Sequence, residues 1–208
     1  MAGRCVIISG GDYSECLVPN SEDFVIACDK GLEWARKMDA KVDLLIGDFD
    51  SYLGDRPKEL STITLPHEKD DTDTHFAVKE AIKRGFDEII LTCAWGGRFD
   101  HAFANIQTCR FASENGLKVS LLDERVQFYF LTGGKNESIK IQKNEAMAVS
   151  LFALSDACSG VKISGTQYEL EDASLTGDFP IGTSNEWEKA EAEFEIKEGT
   201  MMIVLSKM

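Results

Sequence analysis

The sequence predicts an α/β fold, in which a mostly parallel sheet carries helices on both faces, followed by an all-β sandwich or jelly-roll. Up to about residue 131, apolar runs of strand length alternate with helical segments, which is typical of repeated β-α-β units. Beyond that point short strands are separated by Gly, Ser, Asn and Asp, and helical periodicity is weak. We therefore expect an α/β domain at 1–132 and a β-sandwich domain at 137–208, joined by a glycine-containing linker.

The elements of the first domain follow from apolar patterning. The run at 43–47 is the clearest buried strand, because consecutive aliphatic residues stop abruptly at Gly47 and Asp48. Further strands are predicted at 4–9, 24–28, 62–65, 88–92, 118–122 and 126–131. Helices are predicted at 32–38, 72–84 and 100–115, and Gly85 is placed to end the second of them.

The second domain is predicted to contain strands alone. They are expected at 139–141, 146–154, 161–163, 190–196 and 201–205. Residues 191–196 alternate between polar and apolar side chains, which is typical of a half-exposed strand.

Composition limits the possible partners. The chain has 208 residues and a formal net charge of −14, from 22 basic and 36 acidic residues. This excess of acid disfavours nucleic acid, whose binding depends on Lys and Arg, and it disfavours an anionic membrane surface. No apolar run approaches the ~20 residues of a membrane helix, and the apolar run near the N-terminus is too short for a signal peptide. We expect a cytoplasmic protein whose 6 scattered cysteines are small buried hydrophobic residues.

Two acidic clusters lie at the ends of predicted elements. Asp48 and Asp50 follow the strand at 43–47 and project to the same side if the backbone stays extended. Three aspartates within 70–73 open the predicted helix, and Asp29 ends the strand at 24–28. Capping of free N–H groups explains one or two carboxylates at a helix start, but not three in four positions. Carboxylates at strand ends suit Mg²⁺, which in turn implies a phosphorylated substrate.

A third motif, Trp-Gly-Gly-Arg-Phe-Asp-His at 95–101, lies between a predicted strand and a predicted helix. Gly96 and Gly97 let backbone N–H groups approach an anion, and Arg98 can bind phosphate with two hydrogen bonds. His101 is either a general base or a capping or core histidine, and the structural role is favoured because nothing fixes a partner for it. In the β domain, the segments 165–170 and 181–187 have the composition of turns.

Taken together and in this order, the motifs resemble those of the thiamine pyrophosphokinase family. They are Cys-Asp-Lys-Gly at 28–31, Gly-Asp-Phe-Asp-Ser at 47–51, Asp-Thr-Asp at 71–73, Gly-Arg-Phe-Asp-His at 97–101 with Asn105, the segment 165–170, and Gly-Thr-Ser-Asn-Glu at 182–186. The resemblance spans nearly the whole chain. It implies an α/β nucleotide domain followed by a β-sandwich, and a homodimer with thiamine sites at the subunit interface. It also implies transfer of a diphosphate from ATP to thiamine, with release of AMP.

The resemblance also implies roles for individual residues. The Mg²⁺ ligands are expected among Asp29, Asp48, Asp50 and Asp73. ATP is expected to contact Asp29, Gly96, Gly97 and Arg98, whereas Lys30, a departure from the family, either alters the close approach of the backbone or adds a phosphate contact. The catalytic residues are expected to be Asp73, Arg98 and Asp100, and the thiamine contacts Tyr168, Ser184 and Asn185. The chain departs from the family pattern at Lys30, where Gly is usual, at Gln167, where Lys is common, and at Glu169, where Pro is common.

The expected chemistry agrees with the residues. Thiamine is a cation whose thiazolium ring an aromatic side chain can face. Its hydroxyl would attack the β-phosphorus of ATP while Asp73 or Asp100 accepts the proton. Alternatives are diphosphate transfer to another small alcohol such as a pterin, hydrolysis of a nucleotide diphosphate, and a non-catalytic thiamine- or nucleotide-binding sensor. A sensor is expected to lack the metal carboxylates, which this sequence retains.

Overall fold

A computed structural model describes residues 3–48, 59–68 and 70–208. Residues 49–58, which connect the predicted strands at 43–47 and 62–65, lie outside the described residues. The elements in chain order are β1 (Arg4–Ile8), β2 (Phe24–Cys28), α1 (Gly31–Lys37), β3 (Leu44–Gly47), β4 (Thr62–Thr64), α2 (Asp73–Arg84), β5 (Glu88–Thr92), α3 (Phe99–Glu114), β6 (Lys118–Leu122), β7 (Val126–Thr132), β8 (Ser138–Gln142), β9 (Met147–Ala153), β10 (Ala157–Ser164), β11 (Leu170–Thr176), β12 (Glu191–Glu195) and β13 (Thr200–Lys207).

The chain divides into two compact units. The first comprises Met1–Ala112 and Val119–Glu124, and the second comprises Ser113–Lys118 and Arg125–Met208. The domain limits expected from the sequence, 1–132 and 137–208, stay a prediction. Within the described residues, no helix is long and apolar enough to span a bilayer.

The first unit has the strand order β4-β3-β2-β1-β5-β6. Strand β1 pairs in parallel with β2 on one side and β5 on the other, and β3 pairs in parallel with β2 and β4. The chain therefore builds the sheet outward from β1 through β4 and then returns to the opposite edge of β1. Such a reversal of strand order opens a crevice at the carboxyl ends of the strands, where α/β proteins bind ligands.

Helices cover both faces of this sheet, as the sequence predicts. On one face, Val6, Ile8 and Val25 pack against Ala35 of α1 in a buried cluster. Side chains alternate along a strand, and on the opposite face the hydroxyl of Ser9 lies 2.6 Å from that of Thr74 in α2.

Local signals in the sequence account for the ends of α2. The Thr72 hydroxyl caps the helix by accepting a hydrogen bond from the backbone N–H of His75 (3.1 Å). Gly85 ends it in the left-handed conformation at φ 79°. The predicted helix at 72–84 is therefore confirmed to within one residue.

The second unit is an antiparallel β-sandwich. One sheet contains β7-β13-β9, and the other has the order β11-β10-β12-β8. Their facing side chains form one buried cluster that includes Val149 and Ile203 from the first sheet and Val161 and Phe194 from the second. The predicted fold class is thus confirmed, although the sequence did not reveal β11. Its buried and exposed residues alternate poorly, with only Leu175 fully buried.

The 6 cysteines are all described, and none forms a disulfide. Burial raises the pKa of the Cys5 thiol to about 12 and also raises that of Cys109. These thiols stay protonated at neutral pH and act as small apolar side chains. The prediction of buried cysteines is confirmed for five of the six, whereas Cys16 is only partly buried.

Candidate active site

A cavity of about 500 Å³ lies in the first unit. It opens where β1, β2, β3 and β5 end and where α2 and α3 begin, so it occupies the crevice created by the reversal of strand order. Its lining consists of Ser9, Gly10, Gly11, Asp12, Cys28, Asp29, Lys30, Asp48, Thr72, Asp73, Thr74, Ala94, Gly96, Gly97, Arg98, His101, Ala102 and Asn105.

Asp29 and Asp48 meet at this cavity because β2 and β3 are adjacent and parallel. The backbone N–H of Asp29 donates to the carbonyl of Ile46 (3.0 Å), which continues the pairing past the end of β2. Asp29 then adopts φ 44°, a value uncommon for residues other than glycine. Its carboxylate lies over Gly47, and a Cβ atom added at Gly47 would overlap Asp29 Oδ1. Glycine is therefore required at 47 for Asp29 to reach the strand end that carries Asp48.

Asp73 reaches the cavity as the first residue of α2. The start of this helix is held against two strand ends. The Cys28 thiol donates to the backbone carbonyl of Asp73 (3.7 Å), and the Ser9 and Thr74 hydroxyls share the 2.6 Å hydrogen bond. The cavity therefore collects Asp29, Asp48 and Asp73 from separate elements, as the acidic clusters predict.

The loop after β1 forms a further wall of the cavity that the predicted motifs do not include. Gly11 donates its N–H to the carbonyl of Cys93 (2.7 Å), and Asp12 donates to that of Trp95 (3.0 Å). These bonds hold the loop against the segment that follows β5. The sequence does carry a signal for this wall. Gly10, Gly11 and Asp12 directly follow a strand of a parallel sheet, and the carboxyl ends of parallel strands lie at the same edge.

The loop after β5 carries the predicted Gly96 and Gly97. Both lie at positive φ, 79° and 64°, which glycine adopts without steric cost. The buried side chain of Asn105 supports the loop by donating to the carbonyl of Ala94 (2.7 Å). The motif that contains Asn105 does not predict this contact, by which Asn105 helps to shape this wall of the cavity.

Arg98 and Asp100 form an ion pair at the mouth of the cavity. Arg98 donates to Asp100 through Nη2 (2.5 Å) and Nε (3.1 Å), and both side chains are mostly exposed. Hydrogen bonds from Arg98 hold the pKa of the Asp100 carboxyl below its ordinary value, and the backbone N–H of His101 contributes (3.0 Å). Arg98 and His101 line the cavity, whereas Asp100 lies just outside the lining.

The predicted metal site is defined by hard oxygen donors. Asp29, Asp48 and Asp73 line the cavity, and carboxylate oxygens are the ligands Mg²⁺ prefers. Across 3–48, 59–68 and 70–208, no group of three His, Cys, Asp or Glu is arranged to hold an ion by itself. The fourth predicted ligand, Asp50, lies outside the described residues. This donor set fits a magnesium ion held by one or two carboxylates, several waters and substrate phosphates.

The residues predicted to contact thiamine belong to the second unit. Tyr168 is 65% exposed, and Ser184 is exposed at φ 59°. Asn185, in contrast, is buried. Its backbone pairs with Val149 of β9 in both directions, at 2.7 and 3.0 Å.

The side-chain amide of Asn185 is fully engaged inside the protein. Its Oδ1 accepts from the backbone N–H groups of Tyr168 and Glu186, both at 3.0 Å. Its Nδ2 donates to the carbonyl of Tyr168 (2.9 Å) and to the hydroxyl of Thr166 (3.1 Å). Asn185 therefore ties the segment carrying Tyr168 to the segment carrying Ser184.

These features define a class of protein: an α/β unit with an acidic, glycine-lined cavity at its strand ends, together with an antiparallel β-sandwich. Two family models match this arrangement. Residues 17–121 match the catalytic domain of thiamin pyrophosphokinase, and residues 136–201 match its vitamin B1 binding domain. The chain belongs to the thiamin pyrophosphokinase family, whose members are transferases of the kinase type.

Individual relatives agree with this assignment. A thiamine pyrophosphokinase of Bacillus subtilis (strain 168) is 25% identical over 166 residues, which cover 77% of this chain and 76% of the relative. Thiamine pyrophosphokinase 1 of Oryza sativa subsp. japonica is 26% identical over 162 residues, covering 72% of this chain and 60% of the relative.

Solved structures show the same fold. The crystal structure of thiamine pyrophosphokinase from Bacillus subtilis superposes with a TM-score of 0.87 at 23% identity, covering 98% of this chain and 99% of that one. Thiamin pyrophosphokinase from Candida albicans gives a TM-score of 0.74 at 13% identity, covering 100% of this chain and 90% of that one.

The contacts of Asn185 lead to a stability prediction. We expect Asn185→Ala to lower the free energy of unfolding by about 2 kcal/mol, because it removes the partner of the buried Thr166 hydroxyl and of part-buried backbone groups of Tyr168 and Glu186. Urea unfolding followed by circular dichroism measures this change. Gln167→Ala is the matched control, since its side chain is exposed, and its effect should stay within about 0.5 kcal/mol. Equal effects of the two substitutions would contradict the assigned role.

Proposed function

We propose that this chain transfers a diphosphate group from ATP to the hydroxyl of thiamine, giving thiamine diphosphate and AMP. The observation that carries the proposal is the convergence of Asp29, Asp48 and Asp73 on one cavity in a chain of the thiamin pyrophosphokinase family. Carboxylates that share a site repel one another unless a cation lies between them. This supports a site for magnesium and polyphosphate over a purely structural cluster.

The polyphosphate is proposed to lie along the two glycine loops. The backbone N–H groups of Gly10 and Gly96 can approach phosphate oxygens closely, because no side chain intervenes. One or two carboxylates among Asp29, Asp48, Asp50 and Asp73 would hold Mg²⁺ directly, with water and phosphate oxygens as its other ligands. Bound there, the metal would neutralise charge on the phosphate oxygens and on the departing AMP.

Asp73 is the better candidate for accepting the proton of the thiamine hydroxyl. It lines the cavity, whereas Asp100 lies outside the lining and accepts two hydrogen bonds from Arg98 that lower its pKa. A carboxylate stabilised in this way is a weaker base. Asp100 is then proposed to hold Arg98 at the mouth of the cavity, where Arg98 can contact phosphate.

Tyr168 and Ser184 are proposed to contact thiamine, with Asn185 holding their two segments together. The exposed phenol ring of Tyr168 suits a thiazolium cation.

We also propose the homodimer, with thiamine sites at the subunit interface, that the family resemblance implies. Exposed apolar side chains such as Phe99 (77% exposed) and Phe179 (61%) are consistent with a covering partner. Sedimentation velocity would test whether the chain forms a dimer. The cytoplasmic location is a separate point and stays a prediction.

The activity is tested directly by measuring AMP. We expect AMP release from ATP and Mg²⁺ only when thiamine is present, with an equal amount of thiamine diphosphate formed. Chelation of the metal should abolish both products. Release of AMP with a pterin in place of thiamine would favour the pterin alternative. Tight thiamine or ATP binding without any product would favour a sensor.

The catalytic role of Asp73 leads to a second prediction. We expect Asp73→Asn to lower kcat at saturating substrates and Mg²⁺ at least about a hundredfold, because the amide of Asn cannot accept the proton of the thiamine hydroxyl. Asp71→Asn is the matched control at the start of the same helix. Its carboxylate pairs with Lys79 (2.8 Å) and does not line the cavity, so kcat should change by less than about threefold. A near-normal kcat for Asp73→Asn would contradict the assigned role.

A further inference from the structure

Lys30 occupies a distinctive position in the cavity wall. It follows Asp29 directly, is exposed and lines the cavity. Its ammonium lies 4.6 Å from the centre of the Trp34 ring. The Trp34 indole in turn donates to the carbonyl of Gly11 (3.0 Å). Lys30 is thus connected, through one aromatic ring, to the glycine loop that follows β1.

Lys30 contributes positive charge to a cavity that is otherwise strongly acidic. Asp12, Asp29, Asp48 and Asp73 line the cavity, whereas its basic lysine and arginine residues are Lys30 and Arg98. Arg98 is already bound by Asp100 through two hydrogen bonds. Within the part of the chain that the structure describes, the ion pairs do not include Lys30, and the Trp34 ring is its charge contact.

The Trp34 ring is a weaker partner for an ammonium group than a phosphate is. A cation over a partly exposed aromatic ring is held loosely, whereas an ammonium that donates to phosphate forms a charge-assisted hydrogen bond. A lysine side chain also has enough rotatable bonds to change partners without moving the backbone.

We propose that Lys30 binds the polyphosphate of the nucleotide in this chain, and that its ammonium leaves the Trp34 ring to do so. The proposal rests on the proposed function, since it places a nucleoside triphosphate in this cavity. In the absence of nucleotide, the Trp34 ring holds the ammonium at the cavity wall beside the glycine loop. Lys30 is therefore a binding residue for the nucleotide, supplying positive charge in a cavity lined by the metal carboxylates.

Binding of ATP with Mg²⁺, measured by calorimetry in the absence of thiamine, tests this proposal without relying on turnover. We expect Lys30→Met to raise the dissociation constant about tenfold or more, because a charge-assisted hydrogen bond is lost while the apolar stem is kept. The slope of log affinity against log salt concentration should also become shallower. Lys30→Arg should recover most of the affinity.

Lys37→Met is the matched control. Lys37 is the last residue of α1, the helix that begins directly after Lys30. Its ammonium also lies over an aromatic ring, 3.4 Å from the centre of Tyr13, but it does not line the cavity. ATP affinity should therefore stay within about twofold of the unaltered chain. Because Lys30 is exposed, unfolding midpoints of the Lys30 variants should match the unaltered chain and verify that they are folded.

The outcomes separate this proposal from the proposed function. Unchanged ATP affinity in Lys30→Met, with thiamine-dependent AMP release intact, would overturn the role of Lys30 alone. Weakened ATP affinity in Lys30→Met, in a chain that never makes thiamine diphosphate, would support Lys30 and overturn the proposed function. A failure of the unaltered chain to bind ATP would overturn both.

Discussion

The site depends on one steric constraint, the close approach of the Asp29 carboxylate to Gly47. Adjacent parallel strands end at the same level, but this alone does not bring side chains together. Asp29 must leave strand geometry at positive φ, and position 47 must lack a Cβ atom. Both conditions are met, and the carboxylate then lies over the strand end that leads to Asp48. A local backbone arrangement thereby creates a strongly acidic surface that favours a cation.

Neighbouring contacts within the first unit stabilise this arrangement. The start of α2 is tied to β1 and β2 by the Ser9–Thr74 and Cys28–Asp73 contacts, which fix Asp73. The glycine loop after β1 is bonded to the segment after β5. In the second unit, Asn185 plays an analogous role by fixing two exposed segments through one amide. In each unit, buried polar groups position exposed ones, which is how a precise site is held on loops.

Much of this was predictable from the sequence, for identifiable reasons. Apolar runs and the capping signals at Thr72 and Gly85 determine the elements, and carboxylates at strand ends mark the cavity. The interaction between Asp29 and Gly47 was not predictable, because it requires a particular φ value and strand register. The engaged side chain of Asn185 was missed for a similar reason: turn composition does not reveal which of several polar groups is buried. Strand β11 lacked the alternation that would have marked it.

The affinity for a divalent metal ion tests most directly whether the close approach of Asp29 to Gly47 builds the site. Mn²⁺ can replace Mg²⁺ as a spectroscopic probe, and electron paramagnetic resonance measures its binding to the chain in the presence of ATP. Gly47→Ala would displace the Asp29 carboxylate without removing it, while Gly3→Ala adds a methyl group that meets only Phe86 at ordinary contact distance, 3.9 Å. We predict that Gly47→Ala weakens Mn²⁺ binding about tenfold or more and that Gly3→Ala leaves it unchanged. Undiminished Mn²⁺ affinity in a folded Gly47→Ala chain would contradict the account.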